Sequence, residues 1–389
     1  MMPAGDTFEL ATAQRVIFGR GSSGRLAELA AELGDRVLVV SGKSARHAAP
    51  LEAALTGRGL AAGRFRVTGE PTTEDARRGV AAARELGANV VIGIGGGSAI
   101  DAGKAIAALL SNPGDPIDYL EVVGKGQSLT APSVPYLAVP TTAGTGAEVT
   151  RNAVLEAPEH HVKVSLRSPL MLPRIALVDP QLTLDVPPEV TAATGFDALA
   201  QVIEPFVSHK ASPLTDPYCL DGMRRSARSL RAAFVDGSDL DAREDLCLTS
   251  LFGGLALANA KLGAVHGFAG PLGGMYGGPH GALCAALLPD VMRVNLAALR
   301  ARAPHHPSLE RYAVVARTLT GNPSARAEDG IDWVRALAEA LAVPKLRAYG
   351  VAPEAFGEIA QKARRASSMQ GNPIPLTDEE LHEVLAAAT

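Results

Sequence analysis

The segment NVVIGIGGGSAIDAGKAIAAL (Asn89–Leu109) contains a strand pattern, a glycine-rich bend and a helix pattern in direct succession. The apolar run predicts a buried strand ending at Ile94, and the alanine-rich part predicts a helix beginning near Ser98 or Ala99. Glycines without Cβ atoms let the backbone approach a ligand, and a helix N-terminus attracts phosphate through its free N–H groups and partial positive charge. We therefore expect a phosphate site here, in which Ser98 either caps the helix or donates to a phosphate oxygen. A ligand-free turn is the alternative.

Strand and helix patterns alternate through the first half of the chain. The predicted strands are Arg36–Gly42, Arg64–Gly69, Asn89–Gly97, Pro135–Thr141 and Arg174–Pro180. Their apolar residues are successive rather than alternating, as expected when both faces of a parallel sheet are buried. Beyond Pro187–Pro188 almost every segment has a helical pattern. The prediction is an α/β N-terminal domain with a mostly parallel sheet (residues 1–186) and an all-α C-terminal domain (residues 187–389).

The composition limits the classes of function. The 389 residues are 47% hydrophobic and 20% charged, which is typical of globular domains rather than disorder. A net charge of −4 gives no reason to expect a nucleic acid or an anionic membrane as partner. Three widely spaced cysteines match no disulfide framework and predict buried free thiols. The N-terminal segment lacks a signal-peptide pattern and no apolar run is long enough to span a bilayer, so we expect a cytoplasmic protein.

Two further segments bear on nucleotide binding. PTTAGTGAEVTRN (Pro140–Asn152) follows a predicted strand and offers several threonine hydroxyls, at the end of the sheet where α/β proteins bind ligands. In VVSGKSAR (Val39–Arg46), Gly42 stands where an acidic residue would bind a ribose 2′-hydroxyl and repel a 2′-phosphate. Small, hydroxyl-bearing and cationic neighbours favour NADP(H) over NAD(H), although Lys43 is also consistent with an ordinary solvated charge.

Four segments together resemble one family: GGGSAIDAGK, PTTAGTGAEVT, VDPQLTLDVPPEVTAATGFDAL and GAVHGFAGPLGGMYGGPHGALCAALLP. They are similar to the iron-containing, or group III, alcohol dehydrogenases, which belong to a superfamily with dehydroquinate synthase and glycerol dehydrogenase. The resemblance runs in order from about Phe18 to Asn295. It implies a dehydroquinate synthase-like fold with a cleft between the two domains. It also implies NAD(P)-dependent hydride transfer between an alcohol and an aldehyde or ketone.

The resemblance also implies the positions of cofactor contacts. Gly96, Gly97 and Ser98 would hold the pyrophosphate, and Asp101 would lie near the nicotinamide, where we include it among the catalytic residues. With the residues of the turn after the first strand, the predicted cofactor-binding set is Ser41, Gly42, Ser44, Gly95, Gly96, Gly97, Ser98, Asp101, Thr141, Thr142, Thr145 and Lys163.

A cation site is the second implication. Metal-dependent relatives use an aspartate, a histidine four residues later and two distant histidines; these positions hold Asp197, Gln201, His266 and His280. The neutral amide of Gln201 weakens a site for Fe²⁺ or Zn²⁺. Three ligands remain for a cation that would polarise the substrate oxygen. Gly270 stands where relatives often carry another histidine.

Alternatives remain open. Maleylacetate reductases of the same wider family work without metal, in which case His266 or His280 would be the catalytic acid. A second alternative is that the two histidines only pack in the fold. The others are a non-redox lyase like dehydroquinate synthase and a non-catalytic nucleotide-binding relative. We expect a small alcohol, aldehyde or keto substrate and a homodimer or higher homo-oligomer, without nucleic acid or membrane partners.

Overall fold

The computed structural model describes residues 7–160 and 162–389. Residues 1–6 lie outside this range, and with them the start of the N-terminal segment in which no signal peptide was predicted. The strands are β1 (Val16–Phe18), β2 (Arg36–Ser41), β3 (Ala61–Arg66), β4 (Val90–Gly95), β5 (Tyr136–Pro140), β6 (Asn152–Ala157), β7 (Val162–Arg167) and β8 (Ile175–Val178). The helices are α1 (Leu26–Ala31), α2 (Ala48–Gly57), α3 (Thr73–Leu86), α4 (Gly97–Ser111), α5 (Pro188–Val207), α6 (Asp216–Val235), α7 (Leu240–Ala260), α8 (Ala264–Tyr276), α9 (His280–Arg302), α10 (Ser308–Thr320), α11 (Ala327–Ala340), α12 (Phe356–Arg365) and α13 (Asp378–Ala388).

Six strands form one parallel sheet in the order β1-β8-β5-β4-β2-β3. Successive side chains of a strand point to opposite faces. In β2, Leu38 and Val40 pack into one core and Val37 and Val39 into another. Both faces are therefore covered, and the predicted parallel sheet is confirmed.

The chain order places a topological switch between β2 and β4. From β2 the chain passes to β3 on one side, whereas from β4 it passes to β5 on the other. Helices α1 and α2 contribute to the core on one face of the sheet, and α3 and α4 to the core on the other. A crevice at the carboxyl ends of the strands is the usual ligand site at such a point.

Local sequence signals explain where α3 begins and ends. Thr72 and Asp75 form a reciprocal capping box that satisfies free N–H groups at the start of the helix. Gly87 ends it in a left-handed conformation (φ 63°), which a residue without Cβ adopts at little cost.

The described chain consists of two compact units. One contains Ala11–Thr142 and Gly146–Leu184 and holds the sheet; the other contains residues 7–10, Ala143–Thr145 and Asp185–Thr389. All regular elements described from Asp185 onward are helices, so the predicted all-α C-terminal part is confirmed.

Two expectations from the sequence were inaccurate. Strand β3 begins at Ala61, three residues before the predicted start, and the β6–β7 hairpin was not predicted. Strand β6 has a period-two pattern, with Ala153, Leu155 and Ala157 buried, and Pro158 begins the turn directly after it.

By length and composition alone, one helix among the described residues, α9, is able to cross a bilayer. It has 23 residues, and 89% of its most apolar part is buried inside the protein. Helices α7 and α8 are long and apolar enough only when taken together, and the chain bends by 100° between them. Burial of this extent is also typical of core helices in proteins that do not enter membranes.

Candidate metal and cofactor sites

Helix α5 presents Asp197 and Gln201 on one face, since residues four apart lie one above the other. Both side chains are buried. The Nε2 of Gln201 donates a hydrogen bond to the carbonyl oxygen of Gly144 at 3.0 Å, whereas its Oε1 is buried without a hydrogen-bond partner among the described residues.

Helix α8 positions His266 against α5 through Glu204. The carboxylate of Glu204 accepts from the backbone N–H of Val265 at 2.7 Å and from Nδ1 of His266 at 2.6 Å. A Cβ at Gly263 would lie 2.8 Å from Glu204 Oε1, so glycine is needed for this approach. The Nε2 of His266 is thereby turned toward Asp197 and lies 3.1 Å from its Oδ1.

Helix α9 begins at His280, which brings two more side chains to the same place. A Cβ at Gly281 would lie 2.2 Å from the carbonyl oxygen of Ala193, so the start of α9 packs directly on the backbone of α5. The Nε2 of His280 lies 3.8 Å from Asp197 Oδ1. One turn later, Cys284 Sγ lies 3.7 Å from the same nitrogen.

Four potential donor atoms therefore converge: one each from Asp197, His266, His280 and Cys284, all within 4.8 Å of one another. Carboxylate oxygen, imidazole nitrogen and thiolate sulfur are the ligands that divalent transition metals use in proteins. The Oε1 of Gln201 is a further buried acceptor that receives no hydrogen bond from the described residues. These residues fit a cation.

Electrostatics in the cluster favour a positive charge at its centre. Burial opposes ionisation of Asp197, yet the hydrogen bond from His266 and the charge of His280 hold its pKa below the usual range. Burial likewise disfavours the imidazolium form of His280, but the neighbouring Cys284 and Asp197 raise its pKa to about 9. The pKa of His266 is raised for the same reasons. Without a metal, protons on His266 and His280 supply the positive charge that Asp197 and Cys284 attract.

In the sheet-containing unit, the predicted phosphate loop lies at the switch point. Gly95 has φ 154°, a conformation that favours glycine, and a Cβ there would lie 2.7 Å from Ala99. No side chain caps α4, whose N-cap residue is Gly96, so the alternative in which Ser98 caps the helix is wrong. Its N-terminus is available to a phosphate.

The neighbouring loops lie at the same edge of the sheet. The backbone N–H of Thr141 donates to Gly95 at 2.9 Å, and β2 ends beside this loop at Ser41. A Cβ at Gly95 would be 3.4 Å from the nitrogen of Gly42. Ser44 Oγ accepts from the N–H of Arg46 in the following turn. Gly42 itself has open space around a hypothetical Cβ.

Helix α4 also carries a buried cluster that links it to the segment after β5. The ammonium of Lys104 donates to the carbonyl oxygens of Ala147 and Asn152 and to Thr150 Oγ1, at 2.7 to 2.9 Å. Asp101 Oδ2 accepts from the N–H of Val154, while its Oδ1 is 3.8 Å from Lys104 Nζ. Burial raises the pKa of Asp101 to about 6 despite the attraction of Lys104.

Two family models together match most of the chain. The model described as "Iron-containing alcohol dehydrogenase" matches residues 13–180, and "Fe-containing alcohol dehydrogenase family, C-terminal" matches residues 191–389. The chain belongs to the iron-containing alcohol dehydrogenase family. It is an oxidoreductase acting on CH–OH groups, which disfavours the lyase and non-catalytic alternatives.

Individual relatives are dehydrogenases as well. The chain is 36% identical over 327 residues to 1,3-propanediol dehydrogenase of Klebsiella pneumoniae, covering 82% of this chain and 81% of the relative. It is 37% identical over 329 residues to long-chain-alcohol dehydrogenase 1 of Geobacillus thermodenitrificans, covering 83% and 80%. A solved 1,3-propanediol oxidoreductase superposes with a TM-score of 0.92 at 33% identity, covering 99% of this chain and all of that one.

From the sequence alone, three buried polar groups of these clusters had no definite predicted role. Lys104 and Cys284 were assigned no role, and Glu204 was interpreted as either a helix-face charge or the partner of a nearby base; the second interpretation fits. For Cys284 the signal was its spacing of four from His280. All three cysteines are buried and none forms a disulfide in the described part of the chain, as predicted.

Lys163 gives no direct sign of its predicted role. Its Nζ lies 3.5 Å from Glu70 Oε1, and its side chain is largely buried. Its assignment to the cofactor, like those of Thr142 and Thr145, stays a prediction.

Proposed function

We propose that this chain interconverts an alcohol and an aldehyde or ketone by hydride transfer to or from NAD(P), with a divalent cation held by Asp197, His266 and His280. The observation that carries the proposal is the convergence of one carboxylate and two imidazoles around a point where positive charge is favoured. A cation bound there would act as a Lewis acid that polarises the substrate oxygen and stabilises negative charge on it.

The chain's own residues prepare that point. Glu204 accepts the Nδ1–H of His266 and so fixes the tautomer that leaves Nε2 free to bind. Asp197 supplies the negative charge that attracts the cation. Because Asp197 and His266 are buried whereas the side chain of His280 is 41% exposed, a substrate oxygen can reach the cluster from the His280 side.

Except for Thr145, the residues that we assign to the nucleotide belong to the sheet-containing unit. We assign the pyrophosphate to the N-terminus of α4 and the adenine-side ribose to Ser41, Gly42 and Ser44. Thr141, Thr142, Thr145 and Lys163 are assigned to the rest of the cofactor, and Asp101 to the nicotinamide end. The open space at Gly42 and the absence of an acidic residue at that turn support a preference for NADP(H).

The substrate class follows from relatives and from one glycine. The named relatives act on 1,3-propanediol and long-chain alcohols. Gly270 follows His266 by one turn of α8, and a side chain there would meet nothing within 4 Å. We assign primary alcohols and aldehydes, including chains longer than three carbons. Buried free thiols support a reducing, cytoplasmic setting, and we expect a homodimer or higher homo-oligomer.

The test is oxidation of NADPH, followed at 340 nm, by purified protein with a panel of aldehydes and ketones. Each substrate is tried with no added metal and with Zn²⁺, Fe²⁺ or Mn²⁺, the iron under anaerobic conditions. Turnover that requires metal and is abolished in Asp197→Asn supports the proposal. Failure to oxidise NADPH or NADH under every condition refutes it.

A metal-free reductase is the second candidate, favoured by Gln201 and Gly270 in place of the family's histidines. Metal content measured on the sample used for kinetics separates the two. Full activity at less than about one-tenth metal per chain would assign the acid role to His266 or His280 instead.

A further inference from the structure

Cys284 differs from an ordinary core cysteine in what surrounds it. Its side chain is fully buried, yet it lies against the imidazoles of His280 and His266 rather than among apolar groups alone. Residues 280 and 284 are one turn apart on α9, which directs both side chains to the same side of the helix.

The alternative fourth ligand, Gln201, is less suited to this role. Its amide is held through Nε2 by the carbonyl oxygen of Gly144. Its Oε1 is neutral, and a carbonyl oxygen is a poor partner for zinc or iron beside imidazoles. A thiolate is anionic and is one of the strongest protein ligands for zinc.

We propose that the thiolate of Cys284 is the fourth protein ligand of the cation, replacing the histidine that Gln201 has displaced. The inference rests on the proposed function, in that it assumes a cation held by Asp197, His266 and His280. It adds a ligand on another helix and a change of donor atom from nitrogen to sulfur.

Metal preference is the chemical consequence. Replacement of one imidazole by a thiolate moves the donor set toward softer ligands, which favour zinc over ferrous iron. The chain should therefore retain zinc preferentially when both metals are supplied anaerobically, despite the name of its family.

Cobalt(II) provides a direct spectroscopic test. Protein freed of metal by a chelator is loaded anaerobically with one equivalent of Co²⁺, and bound cobalt is quantified after gel filtration. Cobalt ligated by a thiolate shows a near-ultraviolet charge-transfer band in addition to its visible d–d bands. We expect this band in the wild type and in Cys219→Ser, a buried thiol outside the cluster, and its loss in Cys284→Ser. Because the wild-type spectrum is informative alone, the test does not depend on a variant folding.

The outcomes distinguish the two proposals. Stoichiometric cobalt with d–d bands but no charge-transfer band overturns the cysteine ligand and leaves the cation site intact. No bound cobalt or zinc at any pH between 6 and 8 overturns both.

Affinity measurements identify the ligand independently. Cys284→Ser should weaken zinc binding at least about 10-fold, the lower end of what loss of even an outer partner costs. Gln201→Ala should change it far less. The reverse order, with Gln201→Ala losing zinc and Cys284→Ser retaining it, would make the amide oxygen the ligand and refute the inference.

Discussion

Glu204 provides the sharpest test of how the cation site is built. We predict that Glu204→Gln, which keeps the shape but removes the charge, lowers zinc affinity on the order of 10- to 100-fold, the effect typical of losing a partner behind a metal-bound histidine. That range corresponds to about 1.4 to 2.7 kcal/mol. The structure supports it, because the 4% exposed carboxylate accepts from both Val265 N–H and His266 Nδ1. Each such charge-assisted hydrogen bond contributes about 1.5 to 3 kcal/mol.

The assay is competition for zinc against a chromogenic chelator, with thermal unfolding of the metal-free proteins measured in parallel. Glu189→Gln is the matched control, since Glu189 is an exposed carboxylate on the first turn of the same helix. Its zinc affinity should stay within about twofold of the wild type. If Glu204→Gln lowers the melting temperature of the apo protein but leaves zinc affinity unchanged, Glu204 only holds α8 in place and the reasoning fails.

Three further predictions concern the cofactor turn, the pocket and the buried cluster. Gly42→Asp should lower kcat/KM for NADPH at least about tenfold, a loss of 1.4 kcal/mol, with little change for NADH; equal losses for both would refute the assignment of this turn. Gly270→Phe should raise KM for long-chain alcohols much more than for propanol, because the ring would occupy open space; an unchanged chain-length profile would show that this space is not used by substrate. Burial raises the pKa of Glu148 from 4.5 to about 7 despite the attraction of Lys104. The folded state therefore holds a proton that the unfolded chain releases, and this stabilisation is complete below pH 4.5 and lost as pH rises through about 7. In the wild type, the free energy of unfolding should therefore fall by about 3 kcal/mol between pH 4.5 and a pH above 7, and Glu148→Gln should remove this fall. Urea denaturation at several pH values measures it, and parallel wild-type and variant curves would contradict the prediction.

Much of the fold could be predicted because burial on both sides of a sheet leaves a direct mark on the sequence. The unbroken apolar run of β2 indicates a central parallel strand, and the glycines after Ile94 mark the bend into α4. The β6–β7 hairpin was overlooked because two of the three buried side chains of β6, Ala153 and Ala157, are small and mark the alternation only weakly.

The site could be predicted where two of its residues lie on one helix, and less well where its residues come from different helices that pack together. The spacing of Asp197 and Gln201 places them on one face, but only the packing of α9 on α5 shows that Cys284 joins them. Lys104 reaches acceptors more than forty residues away, and no local pattern records such a contact. Gly93 in β4 and Gly103 in α4 make room for Tyr136, whose hydroxyl donates to the carbonyl oxygen of Ile100, and no local pattern predicts that contact.

All four donors of the cluster come from α5, α8 and α9, within a single compact unit of the chain. By mass action, a ligand bound only by the native state stabilises whatever structure forms its site. Zinc should therefore protect the amide hydrogens of these three helices from exchange, whereas NADPH should protect those around α4. Deuterium uptake recorded with each ligand separately would map the two effects onto different stretches of sequence.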